Sequence, residues 1–147
     1  MSENSERSVV VERTSTGHYV ATNVRGGTIR FGTASDAGPD AEFTPVELLL
    51  AAIGGCTAAD VDVATTRHAE PTEFSVAVAG DKVSDDLGNR MTNLKVTFTV
   101  TFPEGDEGAD RARAILPRAV RTSHERLCTV SRTVETGTPV TTTVKDA

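Results

Sequence analysis

The segment that most constrains the fold is Thr44-Pro-Val-Glu-Leu-Leu-Leu-Ala-Ala-Ile-Gly-Gly-Cys-Thr-Ala-Ala59. A threonine hydroxyl at the cap, proline at the first helical position and glutamate three residues after the cap make a capping box, so a helix is expected to start at Pro45. From Leu48 to Ala59 the helix is apolar on every face rather than along one stripe, the pattern of a helix buried on all sides. It is therefore expected at the centre of the core. Gly54 and Gly55 each cost about 1 kcal/mol relative to alanine inside a helix. Their position just before Cys56 points to the close approach of another backbone, or to tight packing alone.

The rest of the chain reads as the walls around that helix. Val9-Val-Val-Glu-Arg13, Tyr19-Val-Ala-Thr22 and Thr28-Ile-Arg-Phe31, separated by the turns Ser15-Thr-Gly-His18 and Arg25-Gly-Gly27, make a three-stranded meander. Ala34 to Phe43, broken by Gly38 and Pro39, is expected to be a loop. Phe74 to Ala79 and Leu94 to Phe102 alternate as half-buried antiparallel strands, joined by the polar stretch Asp81 to Asn93. A second helical pattern runs from Asp106 to Leu127, where Ala109, Ala112, Ile115, Leu116, Ala119 and Val120 form the apolar stripe and Pro117 should kink or split it. Thr129 to Thr136 suits a further short helix, and Val140 to Val144 a final edge strand. Strands, buried helix, strands, helices and strand in this order indicate an α+β fold with antiparallel sheets.

At 147 residues the chain suits a single domain, residues 1–147, with residues 1–7 as a disordered N-terminal tail. A formal charge of −6 argues against nucleic acid and anionic lipid as partners, because both require a basic patch. The longest apolar stretch, Val46 to Ala64, is interrupted by Glu47, Asp60 and Asp62, which argues against a membrane span. The polar N-terminus lacks the apolar core of a secretory signal, so a cytoplasmic location is expected. The two cysteines are too few for a disulfide scaffold or a four-cysteine zinc site, and in a reducing compartment they are thiols. No cofactor is expected. His18, His68 and His124 have no ligand spacing, so no metal is expected either.

Any chemistry rests on Cys56 and Cys128. By itself a cysteine on an apolar helix is more often a small hydrophobe than a nucleophile. His124 falls one helical turn before Cys128 and would lower its pKa if the helix continued that far; a surface histidine is the alternative. Asp60 stands one turn after Cys56. Ionised and facing the thiol it would raise the thiol pKa, whereas bonded to a neighbouring helix it would be structural.

Pro45-Val-Glu-Leu-Leu-Leu-Ala-Ala-Ile-Gly-Gly-Cys56 resembles the first cysteine motif of the OsmC/Ohr family, and Glu125-Arg-Leu-Cys-Thr-Val-Ser131 is similar to its second. The resemblance implies an OsmC-like fold in which antiparallel sheets wrap a central helix in an intertwined homodimer. It also implies thiol-dependent reduction of organic hydroperoxides in oxidative stress defence, with Cys56 peroxidatic and Cys128 resolving. Regeneration then falls to a dithiol reductant, in the family often a lipoylated protein. The family's acid directly follows the proline, whereas here Val46 stands there and Glu47 comes one residue later. The family's thiolate-stabilising arginine aligns with His18, with Arg13, Arg25 and Arg30 nearby. These departures, with Asp60, are similar to the YhfA-like subgroup. The alternatives are a non-catalytic small-molecule-binding or redox-sensing member of the same fold, or two cysteines that merely fill the core.

Overall fold

The computed structural model describes residues 5–33 and 41–145, so part of the expected tail and most of the expected loop lie outside the described residues. Residues 5–7 are exposed and carry neither helix nor strand. The chain divides into two compact units, Met1–Leu49 and Leu50–Ala147.

The first unit holds the meander: β1 (Val9–Ser15), β2 (His18–Asn23) and β3 (Thr28–Gly32), paired antiparallel in the order β1-β2-β3. Tyr19 stands opposite Phe31, and their rings stack at 5.6 Å between centroids. The β2–β3 turn is organised by Asn23, whose side-chain oxygen accepts from the backbone N–H groups of Arg25 and Gly27, both at 2.9 Å. The capping box forms as the sequence implies. Thr44 N–H donates to Glu47 Oε1 at 2.8 Å, and Glu47 N–H donates to Thr44 Oγ1 at 3.2 Å, so α1 (Pro45–Thr66) starts with its first amides satisfied.

In the second unit α1 buries Ile53, Gly54, Thr57, Val61 and Thr65. These positions recur every three to four residues and define one face. The burial expected on all sides is thus met on one side within a single chain, while Leu49 and Val63 stay 37% and 61% exposed. By length and composition α1 would suffice to cross a bilayer, with mean hydropathy 1.5. Its packing face and its bond to Ser123, described below, give it a role inside the fold instead.

The strands β4 (Glu73–Asp85) and β5 (Gly88–Thr101) form one long antiparallel hairpin. The polar stretch expected to connect them is itself strand, because ladder hydrogen bonds need backbone groups and no apolar side chains. The connection shrinks to a tight turn. Asp85 Oδ1 accepts from Leu87 N–H at 2.9 Å, and Gly88 takes φ +98°, a conformation that favours glycine. The register shifts between Ala79 and Asp81, and Asn93 adopts φ 53° in the opposite strand.

Helix α2 (Glu107–Thr122) is capped by Asp106, whose carboxylate accepts from Gly108 N–H at 3.0 Å. It contains Pro117 without being split there. Ala109 and Ala112 are fully buried with Phe102, and Val100, Ala69 and Leu116 pack around them. The break comes six residues after the proline, at a π-helical turn over Ser123–Leu127, followed by Cys128 and α3 (Thr129–Glu135). Residues 140–144 are not a strand, contrary to the edge strand expected there, and Val140 and Val144 are 88% and 93% exposed. Threonine and valine favour pleated backbone, yet a strand exists only with a partner edge, and this segment has none among the described residues.

Candidate functional site

Every helix of the second unit contributes to one locality. Cys56 sits on the seam between the packed and the open faces of α1 and is half-buried, whereas Cys128 is completely buried. The π-helical turn accounts for this placement. Cys128 N–H donates to Ser123 O at 2.8 Å, five residues back, and at Cys128 the backbone leaves the helix with φ −72° and ψ 97°. Cys128 is at once the end of that turn and the cap of α3. Its sulfur accepts from Ser131 N–H at 3.4 Å and its thiol donates to Ser131 Oγ at 3.3 Å.

The two thiols, remote in sequence, are near enough for Cys128 to act on the ionisation of Cys56, and both are free. Burial pushes the Cys56 thiol above its ordinary value of 9.0, and the neighbouring Cys128 adds to the rise. The backbone N–H groups of Val130 and Thr129, at the open amino end of α3, oppose it. Thus a buried thiol and the first amides of a helix face the same sulfur with opposite effects on its ionisation.

Asp60 does not face Cys56 as a raising charge. Its Oδ2 accepts from Ser123 Oγ at 2.7 Å, and Ser123 Oγ lies 2.7 Å from Thr57 Oγ1. The pairing of His124 with Cys128 also fails. An i, i+4 pair shares a face only in a regular α-helix, and the wider π turn sends the imidazole toward Glu135 Oε1, 3.6 Å from Nε2. Arg132 completes that cluster, donating to Glu135 Oε2 at 2.9 Å and to the carbonyl of His124 at 3.3 Å. Glu47 is exposed and engaged in the capping box. His18 belongs to the first unit, its Nδ1 3.3 Å from Glu42 Oε2. Arg30 approaches the same carboxylate at 4.0 Å and Arg13 donates to Thr16 Oγ1 at 2.9 Å.

Sequence reasoning missed Thr57, Ser123 and Ser131. Ser131 was legible in principle, since a helix starting at Thr129 makes Cys128 its cap and Ser131 the capped position. Ser123 had no local signal because its partners are 63 and 66 residues away. A cavity of about 250 Å³ is walled by Ile53, Leu94, Val96, Phe98, Val120 and Val134. Thr57 and Ser131, neighbours of the two cysteines, also line it, with His124 and Glu135.

Comparison with known proteins gives a consistent picture. The family model for OsmC-like protein matches residues 38–143. An uncharacterized protein of Mycobacterium tuberculosis is 30% identical over 137 residues, covering 92% of this chain and 94% of the relative. Among solved structures, an OsmC-like protein of unknown function from Vibrio cholerae superposes with a TM-score of 0.71 at 16% identity, covering 89% of this chain and 94% of that one. An organic hydroperoxide resistance protein, OsmC, of Legionella pneumophila superposes with a TM-score of 0.59 at 15% identity, covering 90% and 91%. At such identities the structural likeness carries the fold alone.

Proposed function

Because the chain belongs to the OsmC-like protein family, we propose that it is a two-thiol peroxidase that reduces organic hydroperoxides through Cys56 and Cys128. The observation that carries this reading is that two free thiols from different helices lie near enough for Cys128 to act on the ionisation of Cys56. In the first step the Cys56 thiolate attacks the terminal peroxide oxygen; the O–O bond breaks, sulfenic acid forms and the alcohol leaves with a proton. In the second, Cys128 attacks the Cys56 sulfur, the S–S bond forms and water leaves. An external dithiol then reduces the disulfide by exchange and is itself oxidised. The cavity lined by Thr57 and Ser131 gives apolar room for the organic part of the substrate.

A second copy of the chain is the partner this reading assigns, since the outer side of α1 leaves Leu49 and Val63 uncovered. The raised pKa of Cys56 favours a second reading, a redox-sensing dithiol of the same fold that oxidises slowly and turns over poorly. One experiment separates them. Free thiols and intact mass are measured before and after one equivalent of cumene hydroperoxide, followed by steady-state consumption with an excess of dithiol. The peroxidase reading expects loss of both thiols and of two hydrogens, absent in Cys56→Ser, with sustained turnover. Cys128→Ser should stop at the sulfenic acid with one equivalent and overoxidise to the sulfinic acid only with further hydroperoxide. A single oxidation without turnover supports the sensor, and thiols that persist reject both.

A further inference from the structure

Ser123 is the residue on which the two thiols are jointly hung. It ends α2, opens the π-helical turn and is completely buried. Its hydroxyl donates to Asp60 Oδ2 at 2.7 Å, so its oxygen is left to accept from Thr57 Oγ1, also at 2.7 Å. Thr57 and Asp60 are one and four residues beyond Cys56 on α1. The carbonyl of the same serine accepts the N–H of Cys128 at 2.8 Å and closes the π turn. Its own N–H is held by the carbonyls of Ala119 and Val120. One residue is thereby tied to the Cys56 helix through its side chain and to Cys128 through its backbone, and the bond to Asp60 is of the short, charge-assisted kind. A π turn carries one residue more than an α-helix would place there, and needs a local reason to persist.

We propose that Ser123, fixed by Asp60 and Thr57, is a positioning residue that sets the approach of Cys128 to Cys56. The inference rests on the reading that these two cysteines form a disulfide. A clamp of this kind raises the effective concentration of one thiol at the other, which is the quantity an intramolecular disulfide equilibrium measures. A residue that only stabilises the fold acts equally on the dithiol and the disulfide and leaves that equilibrium unchanged.

The test equilibrates the full chain in glutathione redox buffers. Cys56 thiolate attacks glutathione disulfide and releases one glutathione; Cys128 then displaces the second, leaving the protein disulfide. Ser123→Ala and Asp60→Ala are expected to lower the equilibrium constant at least tenfold, a rise in potential of about 30 mV. Asp60→Asn, which keeps an acceptor oxygen for Ser123, should stay within about threefold of the wild type. If Ser123→Ala does not fold, Thr57→Val removes the other hydroxyl at nearly constant shape and should show the same loss. Wild-type constants in the folded variants overturn the positioning role alone. A wild-type chain that forms no internal disulfide in these buffers overturns both the pair and its clamp. A disulfide that forms with glutathione while hydroperoxide is left unconsumed rejects the peroxidase and upholds the clamp.

Discussion

Replacing Gly54 and Gly55 by alanine, one at a time, separates packing from helix propensity in the turn that delivers Cys56. Both glycines lie well inside α1, so each substitution gains about 1 kcal/mol of helix propensity. Their surroundings differ. A Cβ on Gly54 would stand 2.9 Å from Val78 Cγ2 and 3.7 Å from Val76 Cγ1 on β4, whereas a Cβ on Gly55 meets nothing within 4 Å. Valine is stiff at χ1 and held in a paired strand, so relieving the contact requires α1 or β4 to shift, at about 1–3 kcal/mol. Gly55→Ala is therefore expected to stabilise by about 1 kcal/mol, and Gly54→Ala to range from neutral to about 2 kcal/mol destabilising. The propensity gain cancels between the two variants, leaving a difference of about 1–3 kcal/mol that reports the contact with Val78. Urea unfolding at one fixed protein concentration reads it: with a slope of about 2 kcal/mol per molar, the midpoints should differ by about 0.5–1.5 M. Gly55→Ala less stable than Gly54→Ala would refute the packing argument and place another surface, such as a second copy, against Gly55.

The pH dependence follows from the sign of the Cys56 shift. The Cys56 pKa lies above its ordinary value of 9.0, so iodoacetamide labelling of Cys56 should still be rising, by about tenfold per pH unit, as pH reaches 9.0, and should level off only at a higher pH. A plateau near neutral pH would contradict the assigned burial. Because the folded state holds this proton more tightly than the unfolded chain, the associated stability is present below the unfolded thiol's pKa and is lost as pH rises through the folded one. Cys56→Ser should flatten that alkaline loss in a pH series of thermal melts. Thr44→Ala removes one side of the capping box and should cost about 1 kcal/mol in urea unfolding, with no change in thiol reactivity. Gly108→Ala drives a Cβ into the carbonyl oxygen of His68, a backbone atom that cannot rotate away, and should destabilise by more than Thr44→Ala. Equal melting temperatures for the two variants would refute that ranking.

Much of this protein was legible in one dimension. The capping box at Thr44, the meander through Tyr19 and Phe31, the alternation of β4 and β5 and the stripe of Ala109 and Ala112 depend on local geometry or on a period of two or 3.6 residues. Such signals are written in neighbouring residues. The exceptions are instructive. Residues 81–93 were polar enough to read as a loop, yet the hairpin extended through them because their partner strand was already in register. Residues 140–144 had the composition of a strand and lacked a partner edge.

The site itself divides along the same line. Cys56 and Cys128 stood out as residues, and the resemblance linked them as a pair, but no periodicity connects positions that belong to different helices. Only the tertiary structure brought the thiols near each other, turned His124 away to Glu135 and gave Asp60 to Ser123. The physical reason is that the π turn adds a residue to the backbone between α2 and α3, and its placement is fixed by hydrogen bonds to α1, more than sixty residues earlier in the chain. A long-range polar contact of this kind has no signature in local sequence, while the helix start and the strand alternation that surround it do.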